Sequence, residues 1–305
     1  MNEDAYRAGR PGFEEIEDGL YLLKSPFATI WSGVFLVRGP LNVLIDSGCS
    51  AEVVDGVIMP ALEDIGVAPE EIKWVINTHS HGDHVNGNTR LLERTGALLA
   101  AYKAVAEKLS DPLPYNRATR CTYPEYSPAP AAYIAPQEAD LVLNEYDVLA
   151  GRLKIFATPG HDSCCISLLD LKTNSLIVGD SMQFLGTNEN GGMELAFYKD
   201  LDAYKGSLAK IRSIGASNIF ASHDYLPAGY SFKGKDEVKR AIDICEDAVA
   251  TFSRNVKQLM DEGVTELPDI ARGLIHMCGA EESAYLFSSM FTAAGHVEEI
   301  RRTSR

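Results

Sequence analysis

The chain is poor in histidine and in positive charge, has no CxxC spacing, and contains no long apolar run. No stretch of its 305 residues approaches the roughly 18 to 20 apolar residues needed to cross a bilayer, so no membrane segment is expected. The opening text, MNEDAYRAGRPGFEEIEDG, is too acidic and polar for a secretory signal, and the expected location is cytoplasmic. Lys and Arg number 28 against 43 Asp and Glu, with no basic stripe; a net charge of −15 repels a phosphate backbone and argues against nucleic acid as a partner. The six cysteines (Cys49, Cys121, Cys164, Cys165, Cys245, Cys278) follow no disulfide framework and read as free thiols in a reducing compartment. There is no low-complexity tract and no solenoid-length repeat.

What is present is a chain with 46% apolar residues, enough for a large core. From Gly19 to Gly48, short runs of Val, Ile, Leu and aromatics broken by Ser-Pro, Ser-Gly and Gly-Pro predict strands and turns. Helical spacing follows Ser50, a suitable N-cap, and the strand KWVINT leads into THSHGDH. The Pro- and Tyr-rich stretch from Ser110 to Asp140 matches neither helical nor strand period and reads as a long loop. Strand-like runs resume from Leu141 and stop near Gly234. Beyond that point every apolar pattern is helical, which divides the chain into a principal domain over 1–234 and a helical appendage over 235–305. The appendage would shape the mouth of an active site or supply a homodimer interface.

Four runs end in a ligand-type residue: WVINTHSHGDH, KIFATPGH, SLIVGD and NIFASH. If they are neighbouring strands pointing one way, five of the seven histidines (His79, His81, His84, His161 and His223) meet Asp83 and Asp180 at one sheet edge. His79 and His81 share a side of an extended backbone, and a bend at Gly82 turns Asp83 and His84 toward a second centre. One catalytic zinc takes three protein ligands, so seven donors fit two ions better than one. The expected division is His79, His81 and His161 on one ion, Asp83, His84 and His223 on the other, with Asp180 bridging. Imidazole and carboxylate without thiolate suit two Zn²⁺, with Fe²⁺ and Mn²⁺ as alternatives. Such a pair lowers the pKa of bound water toward roughly 7, so a metal-bound hydroxide is the expected nucleophile. Asp46, ending another apolar run, would orient a ligating histidine.

THSHGDH, TPGH at His161, VGDS at Asp180, SH at His223 and LIDSG at Asp46 resemble, in order, the motifs of the metallo-β-lactamase-fold hydrolases. The resemblance covers about the first 230 residues and implies an αββα sandwich of two mixed β-sheets flanked by helices, with a dinuclear site at one edge. Asp180 where β-lactamases carry Cys or Ser, and His81 where flavo-diiron proteins carry Glu, point toward the glyoxalase II, acyl-thioesterase and lactonase branch. That branch implies a small acyl substrate opened at a thioester, ester or lactone, with Asp83 and Asp180 in the catalytic machinery and Tyr198 as a polariser or orienter. An iron-dependent sulfur dioxygenase of the same fold and a regulatory binding module with a residual site are the rival readings.

Other residues carry lesser expectations. Asp162 stands where the family has Ser or Thr, and would add negative charge near the metals. The Cys164-Cys165 pair reads as structural. Tyr115, Tyr123, Tyr126 and Tyr133 are candidates for an acyl pocket. His276 and His296 read as structural, and Met277, Met290 and Phe291 as helix-packing residues.

Overall fold

A computed structural model describes residues 11–128 and 135–304 of the chain. The first sheet runs in chain order through β1 (Glu14–Glu17), β2 (Leu20–Phe27), β3 (Ile30–Val37), β4 (Asn42–Ile45), β5 (Ile72–Ile76), β6 (Leu98–Tyr102) and β7 (Leu141–Leu143). Its first four strands pair antiparallel and its last four parallel, so the sheet is mixed. The second sheet uses β8 (Val148–Leu149), β9 (Leu153–Ala157), β10 (Ile166–Asp170), β11 (Ser175–Gly179), β14 (Asn218–Ala221) and β15 (Ser231–Lys233), in the order β15-β14-β11-β10-β9-β8. A small ribbon, β12 (Gly186–Thr187) with β13 (Met193–Glu194), stands apart.

The sandwich follows from which strands are apolar on both faces. Every residue of ISLLD in β10 and SLIVG in β11 is buried, because these strands lie between the facing sheet and a layer of helices. One core fills the space between the sheets, where Leu44 and Val75 meet Ile155 and Ile177. The outer face of the first sheet is covered by α1 (Met59–Asp64), α2 (Gly82–Val85), α3 (Asn88–Thr95) and α4 (Lys103–Ser110). The helical run into α1 starts at Ala51, where the Ser50 hydroxyl accepts from the Val53 amide at 3.3 Å. Beyond α4 the structure corrects the expectation of a loop: α5 (Pro112–Thr122) is helical, because Pro112 opens its first turn, where no amide hydrogen is required.

A second core lies on the outer face of the second sheet. It is closed by α6 (Leu201–Ile214), α7 (Lys235–Asp261), α8 (Leu267–Met277) and α9 (Glu282–Thr303). Leu176 and Ile219 of the sheet pack in one cluster with Leu208, Ile242, Phe252 and Met290 of those helices. The helices after Gly234 therefore share a core with strands that precede it. Among the described residues, no helix is long and apolar enough to cross a membrane.

Candidate metal centre

The four ligand-bearing ends come together, but not on a single sheet edge. β5 belongs to the first sheet, while β9, β11 and β14 belong to the second. β9 and β11 each run antiparallel to β10, and β14 runs parallel to β11, so all three deliver their C-terminal residues to the same end of the sandwich. The cluster thus sits where two facing sheets open, which places donors on opposite walls.

Local chemistry holds each donor. Asp46 follows β4 directly, adopts the left-handed φ of +64° and is wholly buried. Its carboxylate accepts from the Thr78 amide and hydroxyl, both at 2.8 Å, and from His84 Nδ1 at 2.8 Å. One side chain thereby ties the ends of two strands to a histidine on α2. Gly82 has no left-handed conformation; it opens α2, so Asp83 and His84 turn inward by helix formation and not by a glycine bend. Gly160 does need its freedom: its φ is +143°, and a Cβ there would lie 2.5 Å from the Tyr204 Cα.

Each of the five imidazoles has its outer nitrogen facing a protein acceptor. His161 Nδ1 donates to the Phe197 carbonyl at 2.8 Å, and His223 Nδ1 to the Trp31 carbonyl at 2.7 Å. His79 Nδ1 lies 3.2 Å from the Thr78 hydroxyl, whose own hydrogen goes to Asp46. His81 Nε2 faces Asp162 at 3.5 Å. With the outer proton fixed, the inner nitrogen of each ring presents a lone pair to the common centre.

The inner atoms fall into three overlapping groups whose members lie within 4.8 Å of one another: His79, His81 and His161; His79, His84 and Asp180; Asp83, His84 and His223. Asp180 lies between them, with Oδ2 at 3.3 Å from His161 Nε2 and 3.4 Å from His223 Nε2, and Oδ1 at 3.6 Å from His84 Nε2. The decisive sign is what these atoms lack: His79 Nε2 and Asp180 Oδ1 are buried with no hydrogen-bond partner. Two buried acceptors left unpaired in one cluster are costly unless a cation serves them, and the His/Asp donor set is one that divalent first-row ions accept. The cluster fits a divalent metal centre.

Without the ions the site divides electrostatically. Burial, then the neighbouring imidazoles, holds His79 well below the usual histidine range and His161 at about 4. Burial also opposes charge on His223, but Asp180 and Asp83 outweigh it and raise that ring to about 10.

Residues 33–223 match the sequence pattern of the metallo-beta-lactamase superfamily. The chain belongs to that superfamily. Among curated relatives, a hydroxyacylglutathione hydrolase of Methylococcus capsulatus is 24% identical over 238 residues, covering 78% of this chain and 77% of that one. A second, from Synechococcus, is 28% identical over 194 residues and 63% of each chain. For several of these relatives the match spans less than two thirds of their length. The solved metallo-beta-lactamase family protein TTHA1429 of Thermus thermophilus superposes with a TM-score of 0.71 at 20% identity, covering 94% of both chains. A beta-lactamase domain protein of Burkholderia ambifaria gives 0.72 at 16% identity, covering 96% of this chain and 88% of the other. At these identities the superpositions speak for the fold, which is the αββα sandwich of the superfamily.

Several expectations for this metallo-beta-lactamase-superfamily chain are corrected by its structure. Tyr198 does not reach the centre. It is buried in the second core, stacked on Tyr204 with ring centroids 4.6 Å apart, and its hydroxyl bonds His296 Nε2 at 2.6 Å. Its neighbour Phe197 faces the site instead, 5.0 Å from the His161 ring. Asp162 adds no free negative charge, because Lys108 and Lys199 both pair with it, the latter at 2.8 Å. Burial would favour its neutral acid, yet His81 and the two lysines hold it well below the carboxylate range. Cys164 and Cys165 are buried thiols; burial and Asp162 push Cys164 up to about 11, so neither is poised as a nucleophile.

Tyr115, Tyr123 and Tyr126 do not line the cavity beside the cluster. Tyr123 packs on Phe291, Tyr126 lies beneath Arg272, and Tyr115 lies beneath Lys108; Tyr133 falls outside the described residues. Met277 is partly exposed at the end of α8, whereas Met290 is core. The centre opens instead into a cavity of about 730 Å³ whose wall includes Phe27, Trp31, Gln183, Phe197, Tyr225 and Tyr285. None of these carries a sequence signal of its own, since they meet only through the β2–β3 hairpin, the loops after β11, β13 and β14, and α9.

Proposed function

We propose that this chain is a dinuclear metal-dependent hydrolase that opens the thioester, ester or lactone bond of a small acyl substrate. The observation that carries the reading is the convergence of seven donors, two of whose atoms, His79 Nε2 and Asp180 Oδ1, are buried with no hydrogen-bond partner. His79, His81 and His161 would hold one ion, Asp83, His84 and His223 the other, and Asp180 would bridge. Two divalent cations supply Lewis acidity toward a carbonyl and make water nucleophilic near neutral pH. The names of the hydroxyacylglutathione hydrolases support a thioester most directly.

The chain's own residues orient and enclose. The acceptors at Asp46, Asp162, Thr78, Phe197 and Trp31 hold the imidazole tautomers, so no ring must rotate when the site is assembled. Gln183 is itself locked: its Oε1 accepts from the Tyr225 hydroxyl at 3.0 Å, and its Nε2 donates to the Asp180 carbonyl at 3.2 Å. It thereby fixes the loop that carries the bridging carboxylate. Phe27, Trp31 and Phe197 give the cavity apolar walls that displace solvent from an acyl group. Tyr285 and Ser288 bring α9 to the same wall, so the helical tail shapes access.

The test is metal quantitation on protein purified without added metal, paired with a panel of acyl thioesters, lactones, a β-lactam and a phosphodiester. About two zinc ions per chain and turnover of a carboxylic thioester or lactone are expected. His81→Ala should lose close to one ion and nearly all turnover. A single iron with oxygen uptake on a persulfide would replace this reading with the dioxygenase one.

A further inference from the structure

The wall beside His223 carries an unpaired carboxylate. Asp224 lines the cavity, is only 7% exposed, and its Oδ1 meets no hydrogen-bond partner. A buried carboxylate oxygen without a donor is unfavourable, and here it borders the space a substrate would occupy. Lys24 acts on it through space, but the rest of the wall outside the metal cluster adds only negative charge. Among the described residues lining the cavity, the charged groups outside the metal cluster are Glu14, Glu189, Glu194 and Asp224 against one cation, Lys24. Lys24 already pairs with Glu189 at 2.8 Å. Glu194 is held by neutral donors, the Asn188 amide at 2.7 Å and the Tyr285 hydroxyl at 2.8 Å, which leave its charge uncompensated.

The same wall already shows how it treats an ammonium. The Lys24 Nζ lies over the rings of Trp31 and Tyr230, 5.0 and 4.5 Å from their centroids. Carboxylates and aromatic faces together form the environment that stabilises ammonium and quaternary ammonium groups. A glutathione thioester carries more carboxylates than ammonium groups, and a coenzyme A thioester carries phosphates. Either would bring anions against a wall with a negative excess, and no guanidinium among the described residues lines the cavity to receive them.

We propose that Asp224, with the Glu194 side of the cavity and the Trp31 ring, forms a subsite for a positively charged group on the substrate, so that the bond opened at the metal centre belongs to a cationic thioester, ester or lactone. The proposal rests on the hydrolase reading for the reaction and on Asp224 for the specificity. It makes Asp224 a specificity residue and the cluster the reactive centre.

The test uses three thioesters of butyric acid on the metal-loaded full chain: the trimethylammonioethyl thioester, its uncharged tert-butylethyl isostere, and the carboxyethyl thioester. The expected kcat/KM order is cation over neutral over anion, with roughly tenfold between the first and the last. Asp224→Asn should bring the cation-to-neutral ratio close to one while metal content stays at the wild-type value. A neutral or anionic preference in the wild type overturns the subsite, as does an Asp224→Asn protein that keeps the cation preference. In parallel, calorimetry compares γ-trimethylammoniobutyrate, its tert-butyl isostere and glutarate as ligands of the metal-loaded protein. If none of the three thioesters turns over, the thioester form of the hydrolase reading fails by itself. Tighter binding of the ammonium ligand then upholds the subsite, and equal or weaker binding removes it.

Discussion

At the scale of single residues, Asp46 ties two strand ends to a ligand-type histidine. It accepts three hydrogen bonds, two from Thr78 and one from His84, in a setting with no water exposure. Asp46→Asn keeps the shape but turns an amide hydrogen toward one of those donors. Metal affinity should fall by roughly 10- to 100-fold, as read by competition with a chelator. An unchanged affinity would mean that His84 is held by its carbonyl contacts alone. The donors themselves were legible because HxHxDH is compact and because TPGH, VGD and ASH each close an apolar run. Tyr198 was not, since Phe197 and Tyr198 are adjacent aromatics and only tertiary packing decides which one faces the site. Asp224 and Trp31 have no motif at all; they meet because His223 Nδ1 reaches back to the Trp31 carbonyl.

At the scale of elements, two seams carry sharp consequences. The loop that presents His161 crosses the start of α6 with no room for a side chain at Gly160. Gly160→Ala should destabilise the fold by about 3 kcal/mol and loosen the first ion, visible as a lower denaturant midpoint and a weaker metal affinity. The other seam joins α9 to α7. His296 sits in it with Nε2 at 2.6 Å from the Tyr198 hydroxyl and Nδ1 at 2.9 Å from the Ser253 hydroxyl. Burial, then Lys205, depresses its pKa to about 3.

Above about pH 6.5 this ring is neutral in both the folded and the unfolded chain, and its stabilising contribution is fully present. As the pH falls from there toward 3, the unfolded chain takes up a proton that the folded one refuses, and that contribution is lost. The stability advantage of the wild type over His296→Gln should therefore shrink by roughly 1 to 2 kcal/mol between about pH 7 and about pH 5, measured by urea unfolding. A constant difference would place the ring's ordinary titration inside the fold. The longer strands and the long helices of this chain were readable from period, whereas the short β1, β12, β13 and β15 were not, and α5 was hidden by the prolines that open it. The four ligand-bearing ends gave no sign of belonging to two sheets, because a run such as KIFAT reads alike in either.

At the scale of the whole molecule, the change of period near Gly234 is real but is not a seam in the packing. Residues on both sides of it share the second core. A fragment ending at Gly234 would uncover Leu176, Leu208, Ile219 and Phe232, and should be recovered as aggregate; a monodisperse, cooperatively folding 1–234 fragment in size-exclusion and thermal scans would show the opposite. The net charge of −15 has a local counterpart in the cavity wall, where carboxylates outnumber the single lysine among the described residues.

Helix α9 serves two masters. Its Tyr285 and Ser288 border the cavity, while Met290, Ala293 and His296 are locked into the interior a turn or two later. Changes on this helix that widen the entrance also risk unseating the protein, so drift in what is accepted should be channelled to the tip at Phe27–Thr29, where Ala28 and Thr29 face solvent and little else depends on them. A library confined to that turn should yield altered selectivity among folded variants far more often than one of equal size on α9.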